Sequence, residues 1–106
     1  MAEKEYLSYL SEDGSNRFRY SHVIEKGRIL RFRIQYEAQL AGRWYPIVRY
    51  DTAHGFPHRD TIHPDGTEEK DEFPGVEPGE VLTIGERDIK ANWQKYRTAF
   101  EQELIR

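Results

Sequence analysis

The sequence predicts a single α+β domain over residues 1–106, in which an antiparallel sheet of about four to five strands is covered on one face by a long C-terminal helix. Three observations lead to this fold class. Residues 28–40 alternate strictly between apolar and polar side chains, which is typical of a half-buried strand. Residues 89–104 repeat apolar side chains every three or four positions, which is typical of an amphipathic helix. The other strand-like runs are short and are separated by turn signals.

The first part of the chain reads as short strands joined by turns. Residues 1–10 fit either a short helix or a short strand. Asp13 and Gly14 mark a turn, because this pair supplies a residue with positive φ. A strand is predicted over 17–24 and a turn over 25–27. In the alternating strand that follows, one side carries the apolar residues Leu30, Phe32, Ile34, Tyr36, Ala38 and Leu40.

Three more strands are predicted before the helix. The strand over 44–51 contains Pro46, which indicates an edge position or an irregularity. A loop over 52–55 connects it to a strand over 56–63, and the two form a hairpin. After a turn at 64–66, residues 67–73 form a short and highly charged strand, the kind that protects the edge of a sheet from further pairing. Residues 74–79 are predicted to be a loop.

The C-terminal segment is predicted to be a helix that begins near Thr83. Thr83 and Glu86 have the spacing of a capping box, in which each side chain satisfies a backbone N–H of the first turn. We expect the apolar stripe of this helix to pack on the apolar side of residues 28–40. The stripe consists of Ile89, Trp93, Tyr96, Phe100 and Leu104.

Composition excludes several classes of function. The chain has no cysteine, which excludes disulfides, thiolate metal sites and a cysteine nucleophile. Residues 1–5 lack the basic and then apolar pattern of a signal peptide, and no run of about 18 apolar residues could span a bilayer. We therefore expect a cytoplasmic protein that makes no membrane contact and uses no cofactor.

The formal net charge of −3 conceals an uneven distribution. Basic residues dominate between positions 14 and 59, and acidic residues dominate between 60 and 90. A nearly neutral chain can still present a basic binding face, because the local potential steers charged ligands. The alternative is that the basic and acidic parts compensate each other on one surface. The sequence leaves both interpretations open.

Three arginines are candidates for nucleic-acid binding. Arg31 and Arg33 lie on the polar side of the alternating strand, and Arg49 lies in the next strand. Such a row could bind phosphates, and nearby tyrosines could stack on bases. The same face could instead contact an acidic protein partner. Charged residues on an exposed strand also serve solubility alone.

The residues with most potential for chemistry are concentrated between positions 50 and 66. If the hairpin loop spans 52–55, Asp51 faces Phe56 across the two strands. One face of the sheet then carries Arg49, Asp51, His58 and Asp60, and the reverse face carries Arg59, Thr61 and His63. His54 lies in the loop. The candidate catalytic residues are Asp51, His54, His58, Arg59, Asp60 and His63.

Three interpretations of this segment compete. Histidines that titrate near neutral pH, with an arginine to stabilise a phosphate, are the parts of a metal-independent ribonuclease. RNA would be selected because its 2′-hydroxyl attacks the neighbouring phosphate. Alternatively, His54 and His58 with Asp60 or His63 could hold a divalent metal, although the spacing matches no established motif. In the third interpretation, the same residues cap turns and form pairs that stabilise the sheet.

The segment from Tyr50 to Gly66 resembles a family of small uncharacterised prokaryotic proteins. These carry a Y-D-x-A-H-G-x-x-H-x-D core followed by H-P-x-G, and the similarity covers roughly residues 17 to 104. That family is more distantly similar to the TumE-like toxins of toxin–antitoxin pairs, from which this chain departs in the spacing of its histidines. The resemblance implies an RNA-directed toxin with an antitoxin partner. The matching positions are Asp51, His54, His58 and Asp60.

Overall fold

The computed structural model describes residues 1–53 and 55–105. Within them the chain forms a six-stranded antiparallel sheet in which neighbours in sequence are neighbours in the sheet, followed by one helix. The elements are β1 (Ala2–Tyr9), β2 (Asn16–Glu25), β3 (Arg28–Leu40), β4 (Arg43–Asp51), β5 (His58–Ile62), β6 (Glu68–Glu72) and α1 (Pro78–Leu104). The α+β class and the C-terminal helix are as predicted, but the strands number six.

The central strands are joined by the tightest turns that an antiparallel sheet allows. Lys26 and Gly27 connect β2 to β3, and Ala41 and Gly42 connect β3 to β4. All four residues have positive φ, between 52° and 79°. Two consecutive residues with positive φ match the type I′ turn, whose twist suits the right-handed twist of the strands. These two turns fix the register of the three longest strands.

The helix covers one face of the sheet, where it packs on β3 and β4. Four residues of the predicted apolar side of β3 are buried there: Phe32, Ile34, Tyr36 and Ala38. Leu30, at the end of this row, is exposed instead. From the helix, the predicted residues Ile89 and Phe100 are buried, together with Val81, Leu82 and Gly85 from its first turns. The core is therefore a single layer between helix and sheet.

The structure decides the ambiguous N-terminal segment and moves the predicted start of the helix. Residues 2–9 form β1, an edge strand paired with β2 along its length, and this adds the sixth strand. The helix begins at Pro78, five residues before Thr83, because proline at the first helical position has a suitable φ and needs no N–H partner. Thr83 does not cap the helix; its hydroxyl donates to the carbonyl of Gly79 inside the first turn.

The β4–β5 hairpin has a longer loop than predicted. β5 begins at His58 rather than at Phe56, since Pro57 has no N–H to donate to a strand ladder. Asp51 therefore pairs with His58, and Arg49 pairs with Asp60. The predicted register, with Asp51 opposite Phe56, was wrong by two residues. A shift of two leaves every side chain on its predicted face, because strand side chains alternate with period two.

The remaining predictions about strands agree with the structure. Pro46 lies beside an irregularity in the β3–β4 pairing, between Tyr36 and Glu37. β6 is a charged edge strand, and all five of its residues are exposed. Within residues 1–53 and 55–105, no helix combines the length and the apolar character needed to span a bilayer.

Candidate functional site

The face of the sheet opposite the helix, called here the polar face, carries most of the predicted site residues. Strand pairing places them in rows that cross several strands. One row contains Glu5, Ser21, Arg33, Asp51 and His58, and the neighbouring row contains Leu7, Arg19, Gln35, Arg49 and Asp60. The alternating pattern of β3 predicted that this face would be exposed to solvent, yet part of it is buried.

Asp51, His58 and Asp60 form a buried cluster on the polar face. Their exposed fractions are 3%, 4% and 3%. The Nε2 atom of His58 lies 2.9 Å from Oδ1 of Asp51 and 3.3 Å from Oδ2 of Asp60. Two carboxylates therefore flank one imidazole nitrogen. Polar groups this deeply buried are costly unless each one finds a partner.

Both ring nitrogens of His58 face groups that accept hydrogen bonds. Its Nδ1 atom lies 3.1 Å from the carbonyl oxygen of Phe56, and this oxygen can only accept a hydrogen bond. Nδ1 must therefore carry a proton. Nε2 faces two carboxylates, which also accept only when they are ionised. The ring therefore links the carbonyl oxygen of Phe56 to both carboxylates.

Three cations complete the charge balance of the buried cluster. An Nη2 atom of Arg33 lies 3.0 Å from Asp51, whose other oxygen accepts the backbone N–H of Ala53. Arg49 and Lys70 approach the two oxygens of Asp60 at 3.7 and 3.6 Å. The Oδ1 atom of Asp60 is buried and has no hydrogen-bond partner among the described residues. The cluster is thus a compensated ionic network in which one carboxylate oxygen is incompletely satisfied.

The structure does not bring all six predicted catalytic residues together. Arg59 and His63 lie on the helix side of the sheet, away from the buried cluster. Arg59 pairs with Asp71 at 2.6 Å, and His63 lies 2.8 Å from Glu103 and 3.3 Å from Glu69. The hydrogen bond to Glu103 is the main cause that raises the pKa of His63 above its ordinary value. His54 lies outside the described residues.

The three predicted nucleic-acid-binding arginines share the polar face but differ in their partners. Arg49 is largely covered and contacts Glu68 as well as Asp60. Arg33 is half exposed and pairs with Asp51. Arg31 is exposed and forms no ion pair within residues 1–53 and 55–105. Glu37 likewise neutralises both Arg17 and Arg19, at 2.8 and 3.0 Å.

A groove of about 420 Å³ crosses the polar face next to the buried cluster. Its floor is β2, where Ser21 and Val23 have short side chains. Longer side chains rise on both sides of this floor, from β1 on one side and from β3 on the other. Asp51 and Ala53 close the end nearest the cluster. A second depression, of about 290 Å³, adjoins it along Leu7 and Arg19.

The groove contains residues that the sequence interpretation missed. Glu3, Glu5, Ser21 and Val23 line it together with Arg31 and Arg33. The first ten residues were ambiguous between helix and strand, so the side of the chain on which Glu3 and Glu5 lie could not be assigned. The alternation of Glu3, Glu5 and Leu7 with Lys4 and Tyr6 was the available signal, and it is short.

A second polar cluster joins the helix to the sheet on the opposite face. Tyr50 and Tyr96 donate hydrogen bonds to the same oxygen of Asp88, at 2.7 and 2.6 Å. Burial, and then these hydrogen bonds, raise the pKa of Tyr96 to about 12 and also raise the pKa of Tyr50 above its ordinary value. Asn92 donates to the other oxygen of Asp88. The two hydroxyls and the carboxylate satisfy each other's hydrogen-bonding capacity, so the role of this cluster is to attach the helix to the sheet.

A metal site is not formed by the described histidines and carboxylates. In residues 1–53 and 55–105, no group of three or more such side chains is arranged to hold a metal ion. The two histidines of the predicted hairpin that the structure describes, His58 and His63, lie on opposite faces of the sheet. Each instead contacts carboxylates and other protein groups at short distance.

Comparison with known proteins adds a family but no activity. No curated protein and no solved structure matches this chain. Similarity to the TumE-like toxins is not confirmed by any of these comparisons and stays a prediction. The family model described as "Domain of unknown function (DUF7718)" matches residues 1–105. This match spans the sheet, the groove and the helix, and the chain therefore belongs to the DUF7718 family of uncharacterised domains.

Proposed function

We propose that this protein is a non-enzymatic binding module and that the groove over β2 is its ligand site. The observation that carries the proposal is the position of Arg31. Its guanidinium is exposed, lines the groove beside Arg33, and forms no ion pair within residues 1–53 and 55–105. Other arginines of the polar face pair with carboxylates. Arg31 is therefore available to a ligand.

The chemistry of the β3 wall favours an anionic group. A guanidinium offers a planar fork of donors that binds a carboxylate or phosphate with two parallel hydrogen bonds. Arg31 and Arg33 lie two residues apart on one strand, so both can approach the same anion. Ser21 on the floor supplies a hydroxyl in the row of Arg33. The groove volume suits a small molecule, since ligand pockets commonly measure about 300–1,000 Å³.

The balance of charge argues against a long polyanion as the ligand. By strand register, the polar face carries seven basic residues, Arg17, Arg19, Arg28, Arg31, Arg33, Arg49 and Lys70, against eight acidic residues, Glu3, Glu5, Glu25, Glu37, Asp51, Asp60, Glu68 and Glu72. Nucleic-acid affinity comes mainly from phosphate neutralisation by clustered cations. A compensated face offers little of this, so we favour a compact anionic group over RNA or an acidic protein.

The first test is a titration of the protein with inorganic pyrophosphate, in which binding is monitored through the backbone amide shifts in NMR spectra. We expect saturable shifts at Ser21 and Val23 in the wild type and their loss in the Arg31→Gln variant. A matched control is Arg87→Gln, which removes an exposed arginine from the helix. Shifts that persist in Arg31→Gln, or that are absent from the wild type, would overturn the proposed site.

The test extends to the two macromolecular alternatives. A single-stranded RNA that binds, and whose affinity falls steeply with added salt, would show that the face binds nucleic acid. The Arg31→Glu/Arg33→Glu double variant would then abolish binding, while His58→Ala would not. An acidic protein partner would be revealed by complex formation that depends on the same two arginines but not on RNA.

A ribonuclease toxin is the second candidate, and one observation favours it. Asp51 lines the groove and lies 2.9 Å from His58. With a phosphate on Arg31 and Arg33, the Asp51 carboxylate could take the proton of an RNA 2′-hydroxyl. The 2′-oxygen would bond to phosphorus, the bond to the 5′-oxygen would break, and a 2′,3′-cyclic phosphate would form. The leaving 5′-oxygen would take a proton from solvent water. His58 is as buried as Asp51 but does not line the groove, so it would act by holding Asp51.

Production of the protein alone separates this candidate from a binding module. A ribonuclease toxin arrests growth and generates RNA ends with a 2′,3′-cyclic phosphate. Asp51→Asn and His58→Ala relieve the arrest, and an antitoxin protein would restore growth to the wild type. Normal growth in cells that contain folded protein would remove the toxin candidate while leaving the binding module intact.

A further inference from the structure

The groove has two walls of opposite charge. Arg31 and Arg33 rise from β3, while Glu3 and Glu5 rise from β1. Strand pairing places Glu5, Ser21 and Arg33 in one row, and Glu3, Val23 and Arg31 in the next. A carboxylate on β1 therefore faces a guanidinium on β3 across β2 at two positions along the groove.

The two walls do not neutralise each other directly. β1 and β3 are separated by β2, which puts their backbones about 10 Å apart at the usual strand spacing. No ion pair joins Glu3 or Glu5 to Arg31 or Arg33 within the part of the chain that the structure describes. The charges face a shared cleft instead of each other. An occupant with a single charge would satisfy one wall and leave the other wall beside it unpaired.

We infer that the groove binds a small zwitterionic molecule, with its carboxylate or phosphate on Arg31 and Arg33 and its ammonium group on Glu3 and Glu5. This inference rests on the proposed function and names the class of its ligand. A zwitterion satisfies both walls at once, whereas a plain anion pairs with the basic wall alone. Val23 on the floor offers an apolar surface to a short methylene chain between the two charged groups.

Three probes of equal chain length test the inference. These are 6-aminohexanoate, which carries both charges, hexanoate, which carries only the negative charge, and hexylammonium, which carries only the positive charge. Binding is measured from the amide shifts of Ser21 and Val23 at low ionic strength. We expect 6-aminohexanoate to bind about fivefold more tightly than hexanoate, the usual upper value for one partly exposed ion pair.

Two charge variants show which wall is responsible. Glu3→Gln/Glu5→Gln should remove the advantage of 6-aminohexanoate over hexanoate while hexanoate still binds. Arg31→Gln should weaken both of these probes and spare hexylammonium. The matched control, Glu12→Gln/Glu80→Gln, removes two exposed glutamates that lie outside the groove and should change nothing.

The outcomes separate this inference from the proposed function. If hexanoate and 6-aminohexanoate bind equally, and Arg31→Gln weakens both, the groove is an anion site and the zwitterion inference is wrong. If hexylammonium binds best, the groove prefers cationic ligands, and both proposals are wrong. If none of the three probes shifts Ser21 or Val23, neither the ligand class nor the anion site stands.

Discussion

His58 determines whether the buried cluster stabilises or destabilises the fold. Its ring lies between the carboxylates of Asp51 and Asp60, and all three residues are almost fully buried. Removing one partner from a buried ionic network is costly, because the remaining charges cannot be solvated. The role of this residue in folding can therefore be measured independently of any activity.

We expect His58→Leu to lower the free energy of unfolding by about 1–3 kcal/mol, because it leaves two buried carboxylates without the hydrogen-bond partner that they share. His58→Gln should cost less, since its amide can still donate a hydrogen bond. Urea denaturation at neutral pH measures both effects. His22→Leu is a suitable control, because His22 is only half buried and contacts Tyr20 rather than a carboxylate. A cost for His58→Leu no larger than that of the control would contradict this interpretation.

His63 makes the attachment of the helix end dependent on pH. The hydrogen bond to Glu103, with a smaller contribution from Glu69, raises the pKa of His63 in the folded state. A raised pKa means that the stabilisation is fully present below the ordinary histidine pKa of about 6.5 and is lost as pH rises through the folded value.

The Glu103→Gln variant should therefore be less stable than the wild type at acidic pH, and the difference should shrink as the medium becomes alkaline. Denaturation curves at pH 5.5 and 8.5 measure this difference, and NMR titration of the His63 ring should show a lower pKa in the variant. Other titrating groups cancel when the two proteins are compared at the same pH. An equal difference at both values would show that the effect is not due to protonation of His63.

The close packing of α1 on the sheet depends on one glycine, Gly85. A methyl group built on Gly85 would lie 2.7 Å from Cγ of Tyr50, closer than real contacts allow. Tyr50 is 2% exposed, and its hydroxyl is held by Asp88, so the ring has little room to move. The helix can approach β4 this closely only because position 85 has no side chain.

Gly85→Ala sets two effects against each other. Alanine improves helix propensity by about 1 kcal/mol, whereas overpacking a core costs about 1–3 kcal/mol. Because the clash is with a buried ring, we expect the cost to be larger and the variant to be less stable than the wild type. Thermal unfolding checks this, with Thr83→Ala as the control on the exposed side of the helix. A stabilised Gly85→Ala variant would mean that Tyr50 can shift at little cost.

The open sheet exposes two edges, and its two edge strands differ in character. β6 consists of five exposed residues, all of them charged, whereas β1 contains the exposed apolar residues Leu7 and Tyr9. Charged edge strands discourage pairing with another chain. β6 is therefore expected to limit self-association at its end of the sheet.

Replacing charges on β6 tests this role. The Glu68→Val/Glu72→Val variant should self-associate more than the wild type, because it adds β-branched residues to an unpaired edge. Light scattering at increasing protein concentration measures the change. The control, Gln94→Val/Lys95→Val, adds the same apolar groups to exposed positions of the helix. Equal association of the two variants would point to general hydrophobicity and not to edge pairing.

Much of the fold could be predicted because the spacing of apolar residues within each element indicates its type and its buried side. Alternation over 28–40 and the helical stripe over 89–104 report which side of each element faces the core, and this requires no knowledge of neighbouring strands. The same reasoning placed Arg31 and Arg33 on the polar side of β3, whereas the grouping of Asp51, His58 and Asp60 with Arg49 required an assumed hairpin register. The strand at residues 2–9 was ambiguous because its alternation is short and its residues are mostly exposed.

The arrangement of the site could not be predicted, because it depends on which residues meet across strands. Pro57 shortens β5 and brings Asp51 opposite His58, and no pattern within either strand specifies this pairing. These charged residues are buried on a face predicted to be exposed, where Arg33, Arg49 and Lys70 contact them from β3, β4 and β6. The groove likewise exists only because β1 folds beside β2. Periodicity determines the face of a side chain, whereas register and packing determine its partners.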